Sequence, residues 1–176
     1  VPSRRAEFVA GRLCARDALL ALGAPSTAVP RGSGGAPEWP AGFVGSISHT
    51  AAFAFAAVAP ATEAHGLGLD VEQIARFETA PRITRIVTTP AERARFDFST
   101  ETLAIVFSAK EAVYKCLYPL LRQFLEFDAI ELDAIAPASF SCHPTRRLSE
   151  EFGPDTIIEG RYLIVDRLIH TGVILR

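Results

Sequence analysis

Residues 66–72 read Gly-Leu-Gly-Leu-Asp-Val-Glu, a strict alternation that a β-strand resolves into two unlike faces. Leu67, Leu69 and Val71 fall on one face, and Gly66, Gly68, Asp70 and Glu72 on the other. The glycines leave the second face bare, so that a ligand's backbone has room to approach. Beyond them two carboxylates stand side by side and repel unless a cation or hydrogen-bond donors offset them. Such hard oxygen ligands on one rigid strand suit Mg²⁺, which is commonly held by one or two carboxylates and substrate phosphates. The competing reading, for this strand alone, is a strand end with two solvated acids.

Around this strand the chain reads as α+β. Helical spacing of Phe8, Leu13, Ala15, Leu19 and Leu20 predicts a helix over 4–22, stopped by Gly23 and Pro25. A Pro/Gly-rich loop fills 25–42. Strands are expected at 43–47, 52–59 and 66–72, the last two joined as a hairpin across 60–65. Pro90 opens a short helix to Phe96, and a longer helix over 100–118 is expected to end at Pro119. Strand-like runs follow at 129–135, 139–143, 156–165 and 168–175. Each half is thus helix first and strands after. That order predicts two similar lobes, 1–78 and 79–176, with a cleft between them for a ligand.

Composition narrows the function classes. A hydrophobic share of 49% with 22% charged residues supports a packed interior and excludes a disordered chain. The net charge of −2 gives no basic field, so neither nucleic acid nor a membrane surface is an expected partner. The longest uncharged apolar run, 51–62, is too short to span a bilayer. Cys14, Cys116 and Cys142 are far apart and odd in number, and the four histidines show no H-x-x-x-H spacing. That usage points to a reducing, cytoplasmic setting without a disulfide framework or zinc knuckle. The chain begins at Val1 and holds no methionine, so a further N-terminal segment is expected upstream.

Three more constellations can carry chemistry. Lys110 and Lys115 are the only two lysines, and both fall in Phe-Ser-Ala-Lys-Glu-Ala-Val-Tyr-Lys, residues 107–115. On a helix Ser108, Glu111 and Lys115 share a face, so Glu111 suits a third metal ligand or a general base. Lys115 suits neutralising a phosphate or protonating a leaving group. A surface Glu–Lys pair, or a Ser108–Glu111 capping box, is the ordinary alternative. Ser48 and His49 leave a short strand in a turn fit for phosphate, or for nothing more than a satisfied histidine. Arg4, Arg12 and Arg16 line one helix side near the loop Arg31-Gly32-Ser33-Gly34 and suit bidentate phosphate contacts, against the commoner solvated arginine face.

The ordered set R-R-A-E-F-x-A-G-R-x-x-A-R, G-A-P-x-W-P, G-S-I-S-H, G-L-G-L-D-V-E and F-S-A-K-E-A-x-Y-K-x-x-x-P resembles the 4′-phosphopantetheinyl transferases. The likeness is to the long single-chain type that primes siderophore and antibiotic synthetases, and runs from Arg4 to about Phe127. It implies two similar α+β lobes in a pseudo-twofold arrangement, with Asp70, Glu72 and Glu111 as the Mg²⁺ site and Mn²⁺ as the alternative metal. It implies Glu111, Lys115 and His49 as catalytic residues. Coenzyme A would be held by Arg4, Arg12, Arg31, Gly32, Ser33, Gly34, Ser48, His49 and Lys115. The implied reaction moves the phosphopantetheine arm of coenzyme A to a serine of an apo carrier protein, acyl, peptidyl or aryl. A monomer suffices, since two lobes of one chain make the site. Apolar residues after Pro119, among them Leu120, Leu121, Phe124 and Leu125, are candidates for carrier docking or for core. Two other functions fit the same residues: a Mg²⁺-dependent phosphohydrolase of coenzyme A or another nucleotide, and a non-catalytic coenzyme A-binding module. Glycine and serine follow Arg31 where some relatives carry a second basic residue.

Overall fold

A computed structural model describes residues 2–78 and 81–176, apart from the side chains of residues 2, 3, 33 and 81. Helix α1 (Pro2–Ala21) precedes strands β1 (Phe43–His49) and β2 (Ala54–Pro60), which pair antiparallel. Ala15 and Leu19 of α1 are fully buried against Val29, Trp39, Phe43, Ile47, Ala56 and Val58. The second half carries α2 (Pro81–Val87), α3 (Pro90–Arg95) and α4 (Thr100–Leu121), then β4 (Ile130–Ala136), β5 (Ser139–Pro144), β6 (Ile158–Val165) and β7 (Leu168–Leu175). With β3 (Gly66–Gln73) these strands form one antiparallel sheet in the order β3-β7-β6-β5-β4.

The architecture is α+β, helix before strands in each half, and it corrects the expected pairing of β2 with β3. The hairpin is β1–β2, closed by a tight turn in which the Thr50 hydroxyl accepts from the amides of Ala52 and Phe53. β3, at the end of the expected lobe 1–78, instead hydrogen-bonds to β7 within the sheet built by 79–176. Its bare glycine face explains why. A Cβ on Gly68 would lie 1.8 Å from the Ala112 carbonyl oxygen and 2.8 Å from the Cys116 nitrogen. The space is therefore filled by the backbone of α4, and not by a ligand's backbone.

α4 lies over this sheet, burying Val106, Ala109, Ala112, Val113, Cys116 and Leu117 against Leu132, Phe140, Cys142, Ile158 and Val173. Ser99 caps its start by accepting from the Thr102 amide, so Ser108 is mid-helix and the alternative capping box is not formed. Pro119 does not end the helix. It sits in the last turn, where its missing amide forfeits one intrahelical bond, and α4 closes two residues later at Leu121 with Arg122 in the left-handed region at φ 54°. No helix among the described residues is long and apolar enough to cross a membrane.

Candidate active site

β1 runs beside β3, and side chains stitch the two halves together there. The Ser48 hydroxyl accepts from the Val71 amide (3.0 Å) and from Lys115 Nζ (3.2 Å), and donates to Asp70 Oδ1 (3.1 Å). Lys115 Nζ, reaching down from α4, lies 2.7 Å from the same Asp70 oxygen. Asp70 is nearly fully buried, and its other oxygen, Oδ2, is buried without a hydrogen-bond partner. A buried carboxylate oxygen left bare is costly unless a cation or donor arrives. The close glycine contact of β3 with α4 is what brings Asp70 and Lys115 within reach of each other.

Glu72, two residues on and on the same strand face, is paired with Arg76 at 2.8 Å. Burial first, and then Asp70, push its carboxyl above the ordinary value, against the pull of Arg76 and Lys115. Glu111 belongs to the same field. Burial chiefly, with Asp70 and Glu72, raises its pKa, while Lys115 and Arg76 oppose. The Glu111–Lys115 surface pair considered as an alternative does not form, because the lysine turns to Asp70. Among the described residues no three His, Cys, Asp or Glu side chains already surround a common metal position. Lys115 and Arg76 hold the carboxylates that a metal ion would draw on.

Two cavities flank this cluster. One of about 650 Å³ lies between the halves, with Gly34, Trp39, Ser46, Lys115 and Tyr118 in its wall. The other, about 860 Å³, is lined by Glu111, Thr88, Thr89, Arg93, Phe124 and Leu125. Tyr114 borders both.

The predicted coenzyme residues divide. Arg12 donates from Nε to the Val29 carbonyl at 2.7 Å and lies over the Phe8 ring. Burial, and then the charge of Arg31, lower its pKa. The Arg31 head group also packs against Gly35. The Gly32 face is covered by the Glu38 side chain, and Gly34 faces the Tyr118 hydroxyl. The Ser33 side chain lies outside those described. Ser48 is buried, its hydroxyl engaged by Asp70, Val71 and Lys115. Arg4 and His49 sit apart, on the exposed end of α1 and β1, where His49 Nδ1 is 3.8 Å from Glu7.

Several working residues escaped the sequence reading. Arg76 pairs with Glu72; Thr171 accepts from Ser108 (2.8 Å); Tyr114 and Tyr118 line the cavities. Behind Glu111, Lys110 is buried and donates to the carbonyls of Val87 (2.8 Å) and Phe127 (2.9 Å) and to Glu92 (2.8 Å). Glu92, fully buried, also accepts from the amides of Thr89 and Leu132. The Thr89-Pro90-Ala91-Glu92 run carries the capping-box signature that would have located this acid.

Clustered carboxylates faced by a lysine and an arginine beside open cavities are the equipment of proteins that handle phosphate esters with a divalent cation. Similarity to known proteins narrows that class. A family model described as 4'-phosphopantetheinyl transferase N-terminal domain matches residues 1–59, and one described as 4'-phosphopantetheinyl transferase superfamily matches residues 66–164. The chain belongs to the 4'-phosphopantetheinyl transferase superfamily. It is 41% identical over 171 residues to 4'-phosphopantetheinyl transferase Svp of Streptomyces mobaraensis, covering 93% of this chain and 65% of that protein. It is 33% identical over 186 residues to 4'-phosphopantetheinyl transferase Npt of Nocardia iowensis, covering 98% and 83%. With enterobactin synthase component D of Salmonella typhi the identity is 33% over 145 residues, covering 80% and 59%. The chain therefore spans less than two thirds of the first and third of these relatives.

Proposed function

We propose that this chain transfers the 4′-phosphopantetheine group of coenzyme A to a serine of an apo carrier protein, releasing 3′,5′-ADP. The observation that carries the reading is the clustering of Asp70, Glu72, Glu111 and Lys115, with Lys115 in the wall of one cavity and Glu111 in the wall of the other. Asp70, Glu72 and Glu111 would hold Mg²⁺ or Mn²⁺. The bare, buried Oδ2 of Asp70, with the buried Glu72 and Glu111 carboxyls beside it, fits a hard divalent cation. Bound there, the metal supplies positive charge to the pyrophosphate oxygens.

The side chains do the rest. Arg12 and Arg31 bind the nucleotide phosphates, with His49 and Arg4 at the outer lip. Glu111 takes the proton from the serine hydroxyl, directly or through a water. The serine oxygen bonds to the β-phosphorus as the bond from that phosphorus to the bridging oxygen breaks. Lys115 stabilises the charge left on the departing 3′,5′-ADP. Ser48 holds Asp70 and Lys115 in place and so serves the coenzyme indirectly. The 860 Å³ cavity beside Glu111, with Leu125 and Phe124 in its wall, is where the pantetheine arm fits. One chain supplies both sides of the cleft, which favours a monomer, and the cysteine usage favours the cytoplasm.

The test is intact mass. An apo carrier protein incubated with this chain, coenzyme A and Mg²⁺ should gain one phosphopantetheine on serine, and a chelator should abolish the gain. Release of 3′,5′-ADP without that gain would replace the transferase reading with a phosphohydrolase. Coenzyme A binding with no turnover would leave a binding module.

A further inference from the structure

The loop at residues 31–35 carries Arg31 on the first half, whereas Lys115 rides on α4 in the second. Coenzyme A held by both would require a fixed gap between loop and helix, and one side chain spans it. Tyr118, a turn beyond Lys115, places its hydroxyl where a Cβ on Gly34 would be only 2.5 Å away. Gly34 is at φ 69° and ψ 1°, so its missing side chain and its left-handed backbone both face the tyrosine.

Tyr118 is itself braced. Its ring stacks edge-on with Tyr114 at 5.6 Å, and Tyr114 stacks in turn on Phe124 at 5.7 Å. Its carbonyl accepts from the Arg122 amide at 2.8 Å, the bond that closes α4. Tyr118, Gly34 and Lys115 all line the 650 Å³ cavity. A rigid, half-buried phenol with its tip against an outturned glycine is a spacer.

We propose that Tyr118 is a positioning residue for the coenzyme, a strut that sets how near the Arg31 loop approaches α4 and thereby the width of the nucleotide cleft. The inference rests on the coenzyme reading above. It assigns a role to the Gly34–Tyr118 contact that is separate from chemistry at Glu111.

A pairwise test isolates the strut. Coenzyme A affinity is measured by calorimetry, and KM and kcat by carrier loading, for the wild-type chain, G34A, and G34A combined with Y118F. In G34A the new methyl meets the tyrosine hydroxyl and pushes the loop outward. Coenzyme A binding should weaken about tenfold, with the loss in KM exceeding that in kcat. Removing the hydroxyl leaves the ring carbon Cζ at 3.6 Å, an ordinary contact. The double variant should therefore bind more tightly than G34A, short of wild type by the left-handed strain that the alanine keeps. If strain alone caused the loss, Y118F would restore nothing. That result, or wild-type affinity in G34A, overturns the strut. A wild-type chain that fails to bind coenzyme A overturns the coenzyme reading instead, and this inference with it.

Discussion

Gly68→Ala is the sharpest probe of how the fold makes the site. The added Cβ would stand 1.8 Å from the Ala112 carbonyl oxygen, and its other near neighbours, at 2.8 Å, are also α4 backbone. No side chain can swing aside to admit it. An ordinary carbon–oxygen contact is about 3.3 Å, so α4 and β3 must part by roughly 1.5 Å. Overpacking of this kind costs about 1–3 kcal/mol, which for a chain of this size lowers Tm by roughly 2–12 °C. The larger effect falls on function, because Ala112 lies between Glu111 and Lys115 while Gly68 is two residues from Asp70. A shift of about 1 Å at reacting groups costs on the order of 100-fold in rate. Circular-dichroism melting paired with carrier loading measures both. A G68A variant with wild-type Tm and wild-type kcat would refute the claim that this close approach positions the acids and the lysine.

Other outcomes follow from the same geometry. Lys110→Met leaves the fully buried Glu92 carboxyl without its lysine partner, so stability should fall by about 3–5 kcal/mol. Urea melts would show it, and a change under about 1 kcal/mol would deny that the pair staples α3 and α4. The raised Glu111 carboxyl binds more protons folded than unfolded, so its contribution to stability falls as pH rises from its unfolded value, about 4.3, through its raised folded value. In chelator, E111Q should therefore melt above wild type at neutral pH and lose that advantage below pH of about 4. A difference independent of pH would contradict the burial and crowding assigned to this acid. The same variant should lose most of its carrier loading.

Much of this was legible in the residues because period and punctuation are local. Strict alternation at 66–72 placed Asp70 and Glu72 on one face correctly, and helical spacing placed Glu111 and Lys115 on one stretch of α4. What failed was non-local. The alternation says nothing about the partner strand, so proximity in sequence suggested β2, whereas the requirement of Gly68 for helix backbone selects the sheet containing β7. Pro119 reads as a stop, yet the helix runs two residues past it and forfeits only the one bond its amide would have donated. Lys110 carried no assigned role in the sequence, standing out only as the second of two lysines. Its neighbours from α2, α3 and the turn before β4 come from three separate segments, and only folding reveals that they consume all its donors.

The electrostatics of the site also explain why its lysine sits where it does. Asp70, Glu72 and Glu111 face Lys115 and Arg76, so carboxylates outnumber the cations beside them, and burial strengthens each repulsion. Lys115 on Asp70 and Arg76 on Glu72 relieve part of it, leaving Oδ2 of Asp70 bare. A pyrophosphate entering this field brings further negative charge, which the two side-chain cations cannot neutralise while they serve the acids. On the proposed reading additional positive charge would enter with the ligand, and the bare oxygen of Asp70 would receive it. Once the acids are served in that way, Lys115, about a quarter exposed at the cavity wall, is free to turn to phosphate. In the structure the buried Ser48 hydroxyl, bonded to both Asp70 and Lys115, holds the lysine on the acid until a ligand competes for it.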